Sequence, residues 1–301
     1  MSMHSDNLIS PCPVCSTTNT RVVMKVRDTS VSGEVFQLAD CSACELRYTH
    51  DAPCETAIGK YYQSADYISH QNDGKDVIGK LYMLARRFTL QQKRKRIEKM
   101  IGKTSGSLLD IGAGTGSFLH TMQQSGWKVV GLEPAAAARN VALDLYQLSL
   151  KDTAELFNLP EQSFDVITMW HVLEHVHDLH GYLSQIRKLL KPDGKLLIAV
   201  PNVESHDATY YGEHWAAYDV PRHLYHFSAA SMKHLLQRNG LAVLYTQPMW
   251  LDAFYISIMS ERYRGGSMVS ALVEGLRSNI KAFSSRGNTS SLTYVVGHSH
   301  R

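Results

Sequence analysis

The 301-residue sequence lacks three features that point directly to a location or a partner. No apolar run approaches the roughly 20 residues that span a bilayer. Residues 1–10 have neither the basic start nor the apolar core of a secretory signal, so we expect a cytoplasmic protein. The formal net charge is only +3, which is too small to indicate a nucleic-acid partner by itself. With 44% hydrophobic and 20% charged residues, the chain is expected to form one large globular domain plus an appendage.

Cysteine is scarce, yet four of the five cysteines form two C-x-x-C pairs, Cys12/Cys15 and Cys41/Cys44, with 25 residues between the pairs. Two such pairs on adjacent hairpins supply four thiolates for a tetrahedral zinc ion. Disulfides and a redox pair are the alternatives. The missing export signal disfavours disulfides, and the missing thioredoxin-like βαβ pattern disfavours a redox pair.

The interval between the two pairs has room for two strands, which we predict at 21–26 and 34–38. A closed set of four thiolates leaves no coordination position open, so the zinc is expected to be structural. We therefore predict a small zinc-ribbon-like β module over residues 1–51. Cys54 is left over and is expected to be a buried thiol.

A glycine-rich turn is the most informative stretch of the chain. Residues 107–119 read SLLDIGAGTGSFL, so Asp110 ends an apolar run and Gly112, Gly114 and Gly116 follow it. The pattern predicts a strand, a tight turn and a helix start, which is the front of a βαβ unit. Glycines let a ligand approach the main chain closely, and the first turn of the helix offers unpaired N–H groups.

Acidic residues at two strand ends indicate which ligand this turn binds. The dinucleotide fingerprint requires a glycine where Ser117 stands, and Asp110 would repel a pyrophosphate. Asp110 suits a ligand with an amino group and a sulfonium, and Glu133, after the predicted strand 127–132, can hold the two hydroxyls of a ribose. Together these features resemble the class I methyltransferases, which use S-adenosylmethionine (SAM).

The resemblance covers about residues 80–296 and implies an α/β fold. It implies a Rossmann-like, mostly parallel seven-stranded sheet whose last strand is antiparallel. Helices are predicted at 134–144, at 181–191 (stopped by Pro192) and at 229–239 (capped by Ser228 and closed by Gly240), and strands at 163–169, 194–200, 241–246 and 292–296. We assign 52–102 to a connector and a basic helix, and 103–301 to the methyltransferase domain, with inserts at 202–227 and 248–289. Inserts after strand ends are candidate lids.

The predicted helix 80–102 carries a basic side, made of Arg86, Arg87, Lys93, Arg94, Lys95 and Arg96. This side could contact phosphates of an RNA. The alternative is a solvated helix face on a helix that packs on the sheet, which fits the small net charge better.

A second motif follows the predicted strand 163–169, where the chain reads WHVLEHV from Trp170. It resembles SAM methyltransferases of quinone O-methylation, whose E-x-x-E-H segment is associated with a divalent cation. His171 stands in place of the first glutamate here, which weakens the case for magnesium because hard cations prefer oxygen ligands. We favour a structural hydrogen bond between Glu174 and His175, with Trp170 and His171 on the floor of the cofactor pocket.

The first insert holds the other dense polar set, with Asp219, Arg222 and His223 in the sequence DVPRH. It resembles the D-x-P-R-H segment of a broad group of SAM methyltransferases, many of which carry N-terminal zinc modules. Arg222 could clamp a carboxylate or phosphate of the acceptor. His223 could be a general base, since histidine titrates near neutral pH. Equally, Arg222 could pair with Asp219 and tie the loop to the sheet.

The resemblance and the cysteine spacing together give a full set of predicted site residues. The cofactor candidates are Asp110, Gly112, Ala113, Gly114, Gly116, Glu133, Pro134, Trp170 and His171, the catalytic candidates are His171, His175, Arg222 and His223, and the zinc ligands are Cys12, Cys15, Cys41 and Cys44. We predict methyl transfer to an O or N nucleophile of a small metabolite such as a sugar, a lipid or a quinone-like compound. The alternatives are an RNA methyltransferase that uses the zinc module and the basic helix, and a scaffold without catalysis, which the intact cofactor residues disfavour.

Overall fold

The computed structural model describes residues 10–62, 77–284 and 289–299, with the backbone alone over 77–88 and at 284. The strands in these ranges are β1 Thr20–Arg27, β2 Val35–Cys41, β3 Arg47–Thr49, β4 Ser107–Ile111, β5 Lys128–Leu132, β6 Phe164–Trp170, β7 Leu190–Pro201, β8 Tyr225–His226, β9 Leu241–Pro248 and β10 Ser291–His298. The α-helices are α1 Val77–Ile101, α2 Ser117–Gln123, α3 Ala136–Tyr146, α4 Leu179–Leu189, α5 His206–Tyr211, α6 Ala229–Arg238, α7 Asp252–Arg264 and α8 Met268–Ser284. Short 3₁₀ turns fill several connections.

The larger sheet has six strands in the order β5-β4-β6-β7-β10-β9. Strands β5, β4, β6 and β7 are parallel, and β10 runs antiparallel to both β7 and β9. The first six residues of β6 are buried, as expected for a strand covered on both faces. The predicted Rossmann-like α/β fold with an antiparallel last strand is confirmed.

The predicted count of seven strands is wrong for the described residues, which place six in this sheet. At the position where a seventh strand would pair with β5, a single parallel bridge joins Leu132 to Lys151. Immediately after this bridge, the Asp152 side chain accepts from the N–H of Ala154 and starts the 3₁₀ helix Thr153–Asn158. The chain therefore turns away after one residue of pairing.

The smaller sheet combines the N-terminal module with the first insert, in the order β1-β2-β3-β8. Strand β8 belongs to the insert and pairs antiparallel with β3. The N–H of Thr49 extends this contact by donating to the Leu224 carbonyl at 2.9 Å. One buried apolar cluster continues from Leu46 and Tyr225 into the large sheet at Ile167, so both sheets share a core.

Helix α4 ends two residues earlier than predicted, and Pro192 does not stop it. Leu190 already has extended backbone angles, and β7 starts there. The register between β6 and β7 shifts after Phe164, which lets the strand carry a proline that cannot donate to a ladder. Helix α6 begins as predicted, because the Ser228 side chain accepts from the N–H of Ser231.

Helix α1 confirms the predicted helix, but part of its predicted basic side, Arg86 and Arg87, lies outside the side chains that the structure describes. Lys93 does not face solvent as expected, because its ammonium lies 4.0 Å from the centroid of the Trp170 ring. Arg94 donates to Glu98, one turn further on. No helix in the described ranges is both long enough and apolar enough to cross a membrane. Cys54 is exposed, so its prediction as a buried thiol is wrong.

Candidate active site

Asp110 sits at the carboxyl end of β4, where its side chain is 2% exposed. Its Oδ1 accepts a hydrogen bond of 2.6 Å from the Thr168 hydroxyl on the neighbouring strand β6. Burial raises the pKa of Asp110 to about 7, although the Thr168 hydroxyl and the charge of Lys93 act in the opposite direction. A cationic ligand group placed beside this carboxyl would favour its ionised form.

The glycine-rich turn joins this strand end to Glu133. The N–H groups of Gly112 and Ala113 donate to the Leu132 carbonyl at 2.8 and 2.9 Å. The Gly114 N–H donates to Oε2 of Glu133 at 2.8 Å, and Oε1 of Glu133 accepts from the next turn. The structure thus brings together the strand-end acids and the turn that the sequence singled out, while Pro134 lies exposed at the rim.

Two glycines of the turn are needed for different reasons. Gly112 has φ +74°, and a Cβ there would lie 2.3 Å from Cγ2 of Val172, so a side chain cannot be accommodated. Gly114 has φ +55°, and no atom lies within 4 Å of a Cβ built on it. Gly114 therefore borders open space beside Glu133, whose charge also acts on Asp110. We call this turn with its two acidic side chains the cradle. Gly116 begins helix α2 in a left-handed conformation.

Trp170 ends strand β6 next to this cradle, and His171 follows it. Phe118 packs edge-on against Trp170 at 5.7 Å, and the Lys93 ammonium covers the Trp170 ring. Burial lowers the pKa of Lys93, and the nearby Asp252 and Asp110 carboxylates oppose that shift. No sequence pattern indicates this contact, because Lys93 stands in a run of basic residues that predicts a solvent-facing helix side.

His171 has a left-handed backbone, with φ +56°, and forms ion pairs on both ring nitrogens. Nε2 lies 3.1 Å from Asp252 at the start of α7, and Nδ1 lies 3.4 Å from Glu174. Burial alone would lower the pKa of His171, but these two carboxylates raise it to about 10. His171 is therefore a cation at neutral pH and cannot serve as a base. Sequence reasoning missed Asp252, which follows no motif and lies in the second insert.

His175 and His223 lie side by side beyond β6, with ring centroids 4.6 Å apart. Nδ1 of His175 lies 3.0 Å from the Arg222 carbonyl, and Nδ1 of His223 lies 2.8 Å from the Ala217 carbonyl. Because a carbonyl only accepts, each Nδ1 carries a proton, and in the neutral form of either ring Nε2 is the nitrogen with the lone pair. Burial lowers the pKa of His175 to about 4, with a further contribution from His223, so His175 is neutral.

Tyr62 of the N-terminal part adds a contact that the sequence did not indicate, since its hydroxyl lies 3.1 Å from Nδ1 of His175. Tyr62 belongs to the 3₁₀ turn Ile58–Tyr62, in a segment that the sequence predicted only as a connector. The connector that follows the N-terminal module therefore reaches His175, one of the two imidazoles.

Arg222 is only 5% exposed, and protein groups occupy its guanidinium. Nε donates to Asp219 at 3.0 Å and a second nitrogen donates to the Tyr61 carbonyl at 2.8 Å. The third nitrogen contacts Ser30 and Asp219 and lies 3.6 Å from Asp28. These contacts match the alternative in which Arg222 ties the loop down, and they leave no nitrogen directed at an acceptor.

The four paired cysteines converge at the other end of the small sheet. The Cys12 and Cys44 sulfurs lie 3.5 Å apart, as do the Cys15 and Cys41 sulfurs. All four sulfurs lie within 4.8 Å of one another. Zinc–sulfur bonds of about 2.3 Å put the sulfurs of a tetrahedral site about 3.8 Å apart, so the cluster fits zinc.

Comparison with known families agrees with this geometry. The fold, the glycine-rich turn and the acidic strand ends are those of a class I SAM-dependent methyltransferase. A family model described as a methyltransferase domain matches residues 83–246, more than half of the chain, and the chain belongs to that family.

Two relatives and one solved structure illustrate the similarity. The demethylmenaquinone methyltransferase of Tropheryma whipplei is 33% identical over 105 residues, which are 33% of this chain and 44% of the relative. The ubiquinone biosynthesis O-methyltransferase of Rhodopseudomonas palustris is 32% identical over 118 residues, 37% and 46% of the two chains. The matches thus span less than half of each relative.

The solved structure is the 1,6-didemethyltoxoflavin-N1-methyltransferase of Burkholderia thailandensis with bound 1,6-didemethyltoxoflavin and S-adenosylhomocysteine. The two structures superpose with a TM-score of 0.50 at 17% sequence identity. The aligned region covers 86% of this chain and 98% of the Burkholderia chain. At this identity the likeness concerns the fold alone.

Proposed function

We propose that this chain transfers the methyl group of SAM to an oxygen or nitrogen nucleophile of a small metabolite, such as a sugar, a lipid or a quinone-like compound. The observation that carries the proposal is the acidic cradle, in which Gly114 borders open space and donates to Glu133 while Asp110 ends the neighbouring strand β4. The names of the two relatives, which concern menaquinone and ubiquinone, favour a quinone-like acceptor.

The cofactor end of the site uses the two strand-end acids. We assign Asp110 and the turn 112–116 to the methionine part of SAM, and Glu133 with Pro134 to the ribose. Trp170 and His171 form the floor, with His171 held in place by Asp252. SAM supplies a methyl carbon that is already electrophilic, so the remaining work of the protein is to position the acceptor and remove its proton.

The acceptor end is assigned to His175 and His223. As the acceptor oxygen or nitrogen bonds to the methyl carbon, the carbon–sulfur bond breaks and S-adenosylhomocysteine leaves with the electron pair. The acceptor proton moves to a nitrogen lone pair, for which Nε2 of His223 is the candidate because Nδ1 is held by Ala217. Arg222 positions this loop and does not contact the acceptor, since its nitrogens face Asp219, Tyr61 and Ser30.

The alternative of an RNA substrate gains no support from the relatives described above. Two members of the predicted basic side of α1 are also engaged within the protein. Lys93 covers Trp170, and Arg94 donates to Glu98.

Isothermal calorimetry tests the cofactor assignment through its pH dependence. We expect one SAM site per chain whose affinity rises roughly tenfold from about pH 6 to about pH 8, because the ligand cation binds to ionised Asp110. The pKa of Asp110 is raised to about 7 by burial, with Thr168, Lys93 and Glu133 as the facing groups, so the gain levels off above that value. Below it, SAM binding should release up to about one proton.

Two variants control this measurement. Asp110→Asn should bind SAM more weakly and with no pH dependence between the same limits. Gly114→Arg should abolish binding, because its side chain enters the open space of the cradle. Tighter binding of NADH than of SAM, or the same pH profile in Asp110→Asn, would contradict the assignment.

We also propose that Cys12, Cys15, Cys41 and Cys44 bind one structural zinc ion. The support is the sulfur geometry and the position of the four residues in two turns beside β2 and β3. Four free thiols of this kind suit a reducing compartment such as the cytoplasm.

Elemental analysis of protein purified without added metal should find about one zinc per chain. Cys41→Ser should lose that zinc, because three thiolates bind the ion less tightly than four. Without the zinc, the small sheet should unfold at a lower temperature. Some SAM affinity should remain, since Asp110 and Glu133 lie in the other sheet. Cys54→Ser is the matched control, because Cys54 is exposed and outside the cluster, and it should change nothing. Zinc-free protein with Cys12 and Cys15 oxidised to each other would remove the proposal.

A further inference from the structure

Glu174, His175 and His223 place one carboxylate oxygen and two imidazole nitrogens within 4.8 Å of one another. We infer that these three side chains bind a second metal ion, a divalent transition metal, at the acceptor end of the site. The role we give to this ion rests on the proposed methyl transfer. The inference differs from that proposal in making His223 a metal ligand instead of a base.

The first argument is the state of the Glu174 carboxylate. Glu174 is completely buried, and neither of its oxygens has a hydrogen-bond partner among the described residues. The nearest cationic group is Nδ1 of His171 at 3.4 Å, and His171 is shared with Asp252. A buried charge in a protein is normally paired with an opposite charge, hydrogen-bonded or bound to a metal. Glu174 shares its one nearby cation with Asp252 and accepts no hydrogen bond among the described residues.

The second argument is the orientation of the two imidazoles. Each donates its Nδ1 proton to a backbone carbonyl, His175 to Arg222 and His223 to Ala217. This leaves both Nε2 lone pairs for an ion. Histidines that bind metals in proteins are typically held in this way, with the other ring nitrogen bonded to a carbonyl or carboxylate. The closest carboxylate to Nε2 of His223 is Asp219 at 3.8 Å, beyond hydrogen-bonding distance.

The donor set indicates which ions fit. Two nitrogens and one oxygen suit zinc, iron, cobalt or manganese and do not suit magnesium, which takes oxygen ligands and water. The third ligand is His223 from the first insert. His171, which occupies the corresponding place in the sequence motif, is turned toward Asp252 instead.

Three protein ligands leave positions open for the acceptor. The hydroxyl of an acceptor could occupy one of them. Bound to the ion, the hydroxyl loses its proton to water more readily. The resulting oxygen anion then bonds to the methyl carbon of SAM while the carbon–sulfur bond breaks, so both imidazoles stay unprotonated on Nε2.

Cobalt titration of the full chain, with the cysteine cluster first filled with zinc, tests the site by its visible absorption. We expect one Co²⁺ per chain, without the intense thiolate-to-cobalt band that binding to cysteines would give. Glu174→Gln and His223→Asn should each weaken Co²⁺ binding by more than the roughly 10–100-fold typical of removing a group behind a ligand. His214→Asn is the control, because His214 is an exposed histidine of the same insert, and it should bind as wild type.

Wild-type protein that binds no Co²⁺, or binds it only with the thiolate band, overturns the inference without any variant. Equal binding by wild type and His223→Asn also overturns it. Cobalt binding is measured in the absence of SAM and acceptor, whereas the methyltransferase proposal is tested by calorimetry with SAM. Failure of one proposal is therefore distinguishable from failure of the other.

Discussion

His223→Ala should lower the rate of methyl transfer by roughly 10²–10⁴-fold, the usual effect of losing a group that handles the acceptor proton. The loss is expected whether Nε2 of His223 takes the proton itself or holds a metal ion that releases it. SAM affinity should stay nearly unchanged, because among the described residues no hydrogen bond or ion pair joins His223 to Asp110 or Glu133. Transfer of radioactive methyl from SAM to an identified acceptor gives the rate, and calorimetry gives the affinity.

His226→Ala is the matched control for this loss. His226 is also buried and lies three residues further along, but its Nε2 faces Thr49 in the neighbouring strand. Both variants should lower the melting temperature. When each is assayed below that temperature, only His223→Ala should lower the rate of methyl transfer by orders of magnitude. Equal rates in the two variants would show that His223 serves stability alone.

Arg222→Met should destabilise the chain by about 3–5 kcal/mol, because it leaves buried carboxylates without their counter-charge. Asp219 would lose two hydrogen bonds, and Asp28, 3.6 Å away, would lose the nearest cation. The Tyr61 carbonyl would also lose its donor. Urea denaturation followed by tryptophan fluorescence measures this difference in the free energy of unfolding.

Asp219→Asn and Arg222→Lys show which task Arg222 has. If Arg222 ties the loop to the module, both variants lower stability and activity together, and the double variant costs less than the sum. If instead Arg222 holds the acceptor, Arg222→Lys raises the acceptor KM while the unfolding free energy stays at the wild-type value, because lysine keeps the charge and loses the planar fork.

The cofactor cradle could be predicted from sequence because its parts are local. Asp110, the glycines and Glu133 lie within 24 consecutive residues, and the carboxyl ends of adjacent parallel strands necessarily meet at one edge. The four-cysteine cluster is predictable for the same reason, since the C-x-x-C spacing itself brings the two sulfurs of each pair close together.

The acceptor end was less predictable because its contacts join distant segments. The inward direction of Lys93, the ion pair of Asp252 with His171 and the bond of Tyr62 to His175 depend on tertiary packing, which no local pattern records. The missing seventh strand has a similar origin. In the described residues, Lys151 forms one bridge with Leu132. The next residue, Asp152, accepts from the N–H of Ala154 and starts a 3₁₀ helix, which ends the pairing.

The pairing of β3 with β8 sets an order of events on the ribosome. Thr49 and His226, which meet across this pairing, are 177 residues apart in the chain. At about 5–20 residues per second, synthesis takes roughly 10–35 s to cover that distance. Throughout this interval the free edge of β3 is a template for unwanted partners. The proposed zinc ion then has a temporal task, which is to keep three nascent strands together until the fourth has been translated.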